Sequence, residues 1–353
     1  MKKEYNFLDL FEKFIIESRT GKRRKIDGSK IRFGTIELYK YVKKELIEFS
    51  QIEKFTLRIN DVRKASKREL ASERLYWKRF HRKYSDYLYA KGCFDNYVGA
   101  HFKVIRTFCN YLKNEKEIYN GDFHKFLYIR NENIPIIVLS QEQLHFLANN
   151  KEFEHSLPHH LTKAKDIFVF GCITGLRFSD LMNLSNRNIE RMNSEVYLRV
   201  RSLKTFTDTR IKLIETGIDI IKKYKYFNKL LPAISNNRLN LNLKEICLRA
   251  GWVYEIGKKR GQRGQSKNLN KKGKVYRFCD LVTTHTMRRT AITTLLSRGV
   301  SEIIVRKLSG HSSNSKEFFK YVNYAQKQID EEVESALDFL DPHKNLQLKS
   351  TEI

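Results

Sequence analysis

Two arginines, two histidines, a lysine and a tyrosine of this chain stand in an order suited to chemistry on a phosphodiester. Thr174-Gly175-Leu176-Arg177-Phe178-Ser179-Asp180-Leu181 supplies the first arginine, and Leu203-Lys204-Thr205 the lysine. Thr284-His285-Thr286-Met287-Arg288-Arg289-Thr290 supplies a histidine and the second arginine, Leu308-Ser309-Gly310-His311-Ser312-Ser313 the second histidine, and Tyr321 follows. Transfer at phosphorus requires neutralised non-bridging oxygens, an in-line nucleophile and a proton for the departing oxygen. Arginine suits the first task because its planar fork binds phosphate at two points and stays charged. A tyrosine hydroxyl, with an ordinary pKa of about 10, attacks phosphorus only where positive charge and a base lower the barrier. Taken singly, each residue has a plainer reading. Arg177 could cap a helix or pair with Asp180, His285 and Arg288 lie one helical turn apart and could be a surface pair, and Lys204 is one of 68 basic residues. The ordered set, and not any one member, carries the chemistry.

Those motifs, in that order, resemble the tyrosine recombinase (phage integrase) family. The resemblance implies that Arg177 and Arg288 hold the scissile phosphate while Tyr321 attacks it, giving a 3′-phosphotyrosyl linkage and a free 5′-hydroxyl. Lys204 matches the family's β-hairpin lysine, which protonates the departing 5′-oxygen. His285 and His311 match the two histidine positions, the first assisting proton transfer and the second hydrogen-bonding the phosphate; Asp180 matches an acid that orients the site. Tyr321 lies ten residues after His311, one more than the commoner family gap, and Tyr324 would share its helical face. Tyr324 therefore stays open as the nucleophile. A covalent route of this kind conserves phosphodiester energy and implies no cofactor, and the chain has neither a Walker-type Gly-x-x-x-x-Gly-Lys-Ser/Thr loop nor a tight acidic cluster for two magnesium ions.

Composition points the same way. Against 68 Lys and Arg stand 40 Asp and Glu, a formal charge of +28 that self-repels unless a polyanion is the partner; nucleic acid is the leading candidate, and the resemblance implies double-stranded DNA. The longest apolar runs, 134–139 and 167–174, are too short to span a bilayer, and Glu4, Asp9, Glu12 and Lys13 interrupt any signal-peptide core near Met1. Cys93, Cys109, Cys172, Cys247 and Cys279 are odd in number and scattered, which argues against a disulfide framework or a zinc site and suits the cytoplasm.

The elements that must position these residues fall into two domains. Residues 1–130 carry apolar positions at helical spacing (Phe7, Leu10, Phe11, Phe14, Ile15; Leu38, Tyr41, Val42, Leu46; Val104, Ile105, Phe108, Tyr111, Leu112), which predicts a helical bundle. Its layout, with the basic turn Lys22 to Lys25 and a helix start at Gly34-Thr35-Ile36, is similar to the family's all-α, SAM-like core-binding domain. Residues 131–139 read as a linker, and Ser140 with Gln143 predicts a capping box opening the next domain. Residues 140–353 are expected to be mixed but mainly α, with a small β-sheet whose runs Val196 to Val200 and Arg210 to Ile214 flank the turn bearing Lys204. The resemblance makes this second part the catalytic domain, with the fold of the DNA breaking-rejoining enzymes. The segment 257–274 has eight basic residues, four glycines and no acid, and is expected to be mobile when free and to order on a phosphate backbone, a solvated loop being the plainer reading. The tail 328–353 reverses the charge, with seven acids and two lysines. Its apolar stripe Val333, Ala336, Leu337, Leu340 suggests an acidic helix that docks on a neighbouring protomer or packs back on its own domain.

The expectation is a site-specific DNA recombinase acting as a homotetramer on two duplexes, with no membrane association. A type IB topoisomerase, which uses similar tyrosine chemistry, and a non-catalytic DNA-binding regulator are the alternatives.

Overall fold

The computed structural model describes residues 3–337, apart from 133, 204–206 and 313–314, and leaves aside the side chains of 332, 335 and 336. In chain order the elements are β1 (Lys3–Asn6), α1 (Phe7–Thr20), α2 (Phe33–Ile52), β2 (Arg58–Asp61), α3 (Lys67–Ala90), α4 (Asp95–Glu115), α5 (Gln141–Asn149), α6 (Lys151–Ser156), α7 (His159–Thr174), α8 (Phe178–Leu181), β3 (Ile189–Met192), β4 (Glu195–Arg201) and β5 (Asp208–Lys212). There follow α9 (Glu215–Lys223), α10 (Asn236–Arg249), β6 (Lys258–Gln262), β7 (Gln265–Lys271), β8 (Lys274–Val275), α11 (Phe278–Leu281), α12 (Thr284–Ser297), α13 (Glu302–Ser309) and α14 (Lys316–Leu337). Among the described residues no helix is long and apolar enough to cross a membrane.

The chain forms two compact units: residues 1–134 with 258–269, and 135–257 with 270–353. In the first, α1 starts where the Asn6 side chain accepts hydrogen bonds from Leu8 N and Asp9 N and stops at Gly21, whose φ of 81° suits glycine. Its apolar face meets α4 in a nest of rings, with Phe11 and Phe108 at 4.8 Å and Phe14 and Tyr111 at 5.2 Å between centroids. α3 opens on a reciprocal box between Ser66 and Glu69. To this bundle the structure adds a short antiparallel ribbon, β1 on β2, with Lys3 opposite Asp61.

The basic run holds an antiparallel hairpin, β6 with β7, whose residues 258–269 belong with the helical unit. Three acids hold it there. Arg260 donates to Glu132 at 2.7 Å, Gly264 N donates to Asp95 at 2.9 Å, and Arg263 pairs with Asp86 at 2.5 Å. A side chain at Gly261 would come within 2.9 Å of the Asp95 carboxylate, so the backbone can approach only because that residue has none.

In the second unit Ser140 and Gln143 form the expected capping box at the start of α5. α7 is buried almost all round, from Leu161 to Thr174, and serves as the core against which α5, α10 and α12 pack. The crossing with α12 is tight: a Cβ at Gly171 would sit 2.3 Å from Met287 Sδ. β3, β4 and β5 form an antiparallel meander with Arg201 opposite Asp208, and Ser202 N donates to Thr207 O just beyond that pair. A separate apolar cluster of Ile292, Leu296, Val305, Phe318, Tyr321 and Ala325 joins α12, α13 and α14.

Candidate active site

Each cluster residue is placed by a local device that its sequence encodes. Thr174 closes the last turn of α7 by donating to Phe170 O, and Gly175 then turns the chain at φ 64°. Arg177 follows in extended backbone as the residue before α8, and its guanidinium donates to Ser202 Oγ at 3.0 Å and Gly310 O at 3.3 Å. Asp180, on α8 and only 3% exposed, accepts from Ser202 Oγ at 3.0 Å and from Leu203 N at 2.9 Å. One carboxylate therefore ties the first arginine, through Ser202, to the β4–β5 turn. Lys204, expected on that turn, lies outside the described residues.

α12 carries the second group. Its first turn is held by α10, where Thr284 N donates to Asn240 and Thr284 Oγ1 donates to Asn236, each at 2.8 Å. His285 is exposed there, whereas Arg288, one turn on, is 3% exposed. Arg288 donates to Gly175 O at 2.8 Å and to Ser309 O, so carbonyls from α7 and α13 lock its fork. Burial first, then the Arg177 charge, lowers its pKa to about 10, which leaves it protonated at neutral pH.

α13 ends at Gly310, whose φ of 61° reverses the chain and delivers His311 beside Arg288, 3.3 Å from either ring nitrogen. Ser309 Oγ donates to Val305 O at 2.6 Å and lies 2.8 Å from His311 Nδ1. With its one proton committed to the carbonyl, the hydroxyl oxygen accepts from Nδ1–H, which leaves Nε2 without a proton. Burial, then Arg288 and Arg177, push the His311 pKa down to about 3, so the ring is neutral.

Tyr321, 5% exposed on α14, packs its ring 5.9 Å from that of His311 and shares an apolar cluster with Ile292 of α12 and Val305 of α13. Tyr324 has different neighbours. Its pKa is raised by burial and then by the acidic groups of Glu331 and Tyr254. The structure thus brings Arg177, Arg288, His311 and Tyr321 together and sets His285 at the exposed start of α12, one turn before Arg288.

Sequence reasoning passed over the two serines, Ser202 and Ser309, that link these groups. Ser309 stood inside the Leu308-Ser309-Gly310-His311 motif, and its place two residues before His311 was the available signal; Ser202 had none. Among the described residues no group of three or more His, Cys, Asp or Glu side chains could hold a metal ion.

Similar architecture occurs in solved tyrosine recombinases. The Tn1549 transposon integrase in complex with circular intermediate DNA superposes with a TM-score of 0.55 at 14% identity, over 89% of this chain and 94% of that one. The XerH site-specific recombinase bound to palindromic difH substrate, in a post-cleavage complex, gives 0.58 at 13% identity, over 93% and 84%. A lambda integrase tetramer bound to a Holliday junction gives 0.53 at 15% identity, over 88% and 77%. At these identities the likeness speaks for the fold alone, and no curated protein sequence matches the chain. The phage integrase family matches at residues 138–328, more than half of the chain and all of the cluster just described. The chain therefore belongs to the phage integrase family and is a site-specific tyrosine recombinase, an enzyme that cuts and rejoins DNA.

Proposed function

We propose that Tyr321 is the nucleophile and that Arg177 and Arg288 clamp the scissile phosphate it attacks. The observation that carries this reading is the convergence of both guanidiniums and His311 on one spot, Arg288 fixed by two backbone carbonyls and Arg177 by Gly310 O and the Ser202 hydroxyl, with the Tyr321 ring against His311. A phosphate there meets charge that needs no reorganisation as the transition state forms. Tyr321 Oη bonds to phosphorus, the bond from phosphorus to the 5′-oxygen breaks, and Lys204 supplies the proton that oxygen takes up. His285, at the exposed edge of α12, accepts the proton that Tyr321 loses. Attack by another strand's 5′-hydroxyl reverses these steps and reseals the backbone. Asp180 orients Arg177 and the 202–207 turn and does not react.

The substrate is double-stranded DNA, the working assembly is a tetramer of this chain on two duplexes, and the compartment is the cytoplasm. Support for the tetramer comes from α14, where Val333 and Leu337 are 52% and 50% exposed and lie on the acidic segment. The family match favours recombination over the topoisomerase and regulator alternatives.

Two tyrosine variants test the central step on a nicked duplex carrying the enzyme's site. Tyr321→Phe should bind the duplex and form no covalent adduct, and Tyr324→Phe should form it normally; the reverse pattern moves the nucleophile to Tyr324. Arg177→Ala and Arg288→Ala should each slow cleavage by about 10²- to 10³-fold, the cost of losing one electrostatic donor at a developing charge. Near-normal cleavage by either would contradict the clamp.

A further inference from the structure

In the helical unit, α3, the 123–130 segment and Arg263 of the β6–β7 hairpin line a groove of about 640 Å³ that takes no part in the phosphate site. Two rows of α3 form its rim and floor. Arg74, Lys78 and Arg82, at steps of four residues, stand exposed along the rim, while Trp77, His81 and Tyr89 underlie it. The opposite wall presents Phe126 and Tyr128, 64% and 56% exposed, and large apolar rings left this open call for a partner.

Charge and geometry restrict what that partner can be. Five cations line the groove and the one acid, Asp86, is already paired with Arg263. Among the described residues Arg74, Lys78 and Arg82 have no carboxylate partner. The three cover about 12 Å of helix at 1.5 Å per residue, a span matched to a chain of phosphates and too long for one small anion. The rings are held in position: the His81 Nε2–H donates to Tyr128 O at 3.2 Å, and the guanidiniums of Arg74 and Arg130 lie 5.5 and 5.3 Å from the Phe126 and Tyr128 ring centres. A duplex keeps its base faces stacked inside and can use only the cations. An unpaired strand can use both the cations and the rings, because every base has a face to stack.

We infer that this groove binds single-stranded nucleic acid, with Phe126 and Tyr128 stacking successive bases and the Arg74, Lys78, Arg82 row following the backbone. It is a second nucleic-acid site, separate from the one where strands are cut.

The test is anisotropy of a labelled oligothymidylate on the full chain, beside adduct formation on a nicked duplex. Phe126→Ala combined with Tyr128→Ala removes two exposed rings and should weaken oligothymidylate binding by about tenfold or more. Duplex affinity and adduct yield should not change. Arg74→Gln, Lys78→Gln and Arg82→Gln together should flatten the dependence of log affinity on log salt by about 2, at roughly 0.7 per single-strand phosphate contact. Unchanged oligothymidylate binding by the double aromatic variant overturns the inference, as does an equal loss for duplex. So does a groove that binds an acidic peptide of residues 328–353 and not the oligothymidylate. Loss of the adduct by these variants would instead link the groove to cleavage and contradict its separateness.

Discussion

His311 is the residue whose state says most about the empty and the occupied site. Its depressed pKa has two sources, burial and two neighbouring guanidiniums, and a bound phosphodiester removes the second by neutralising them. Because the folded value lies below the ordinary 6.5, the unfolded chain binds the proton more readily. This residue's contribution therefore weakens stability as pH falls below about 6.5 toward 3 and leaves it unchanged above. Imidazole NMR of the free protein should show a neutral His311 from pH 8 down to about 5, in the Nδ1–H form given by Ser309. Binding a nicked duplex should move the titration upward. A His311 that titrates near 6.5 in the free protein, or does not shift on binding, would mean that the arginines do not face it. The arginines and histidines of this cluster are legible as residue types in order, since each sits in a short motif with a turn glycine or a helix start close by, and Tyr321 by its place after them behind Phe318-Phe319-Lys320. Ser202 was not, because its role as the link between Arg177 and Asp180 exists only once the β4–β5 meander has folded over α8.

At the scale of elements, the site depends on α7 and α12 approaching closely enough for Arg288 to reach Gly175 O. Gly171 allows that approach. Gly171→Ala would drive a methyl into Met287, and overpacking of this kind costs about 1–3 kcal/mol. The variant should melt several degrees lower and cleave more slowly than its lost stability explains, because α12 carries both His285 and Arg288. Shortening the neighbour by Met287→Ala in the same chain should recover part of the melting temperature, and no recovery would place the strain elsewhere. Helices read well from sequence wherever the apolar spacing was long and a cap was present, as at α1 or at Ser140. β1 and β2 did not, being four residues each and paired across more than fifty residues of chain. The β6–β7 hairpin is not legible in the sequence for a related reason. It has no apolar alternation, and what holds it, Asp86, Asp95 and Glu132, lies far away in sequence and acts through charge.

For the molecule as a whole, the chain divides its charge: a strongly basic body and a tail in which acids dominate. α14 bridges the two, with Tyr321 and Ala325 buried in its first half and Val333 and Leu337 exposed in its second. An exposed apolar pair on an acidic helix fits a surface on another copy of a basic protein better than it fits solvent. Val333→Glu with Leu337→Glu should leave the melting temperature within a degree or two and leave adduct formation at an isolated site intact. Complexes of several protomers on paired sites, followed by sedimentation velocity, should be lost. Unchanged assembly would mean that this face serves no protomer contact.

The most direct measurement is to trap the protein on a nicked duplex without added metal or nucleotide, digest the complex and fragment the DNA-linked peptide by mass spectrometry. Trypsin leaves Tyr321 and Tyr324 on the same peptide, Tyr321 to Lys327, so the fragment ions must separate them. A nucleotide carried on Tyr321 is the expected result and would join the arginine clamp to its nucleophile. A nucleotide on Tyr324, or a tightly bound duplex with no linked peptide at all, would contradict it.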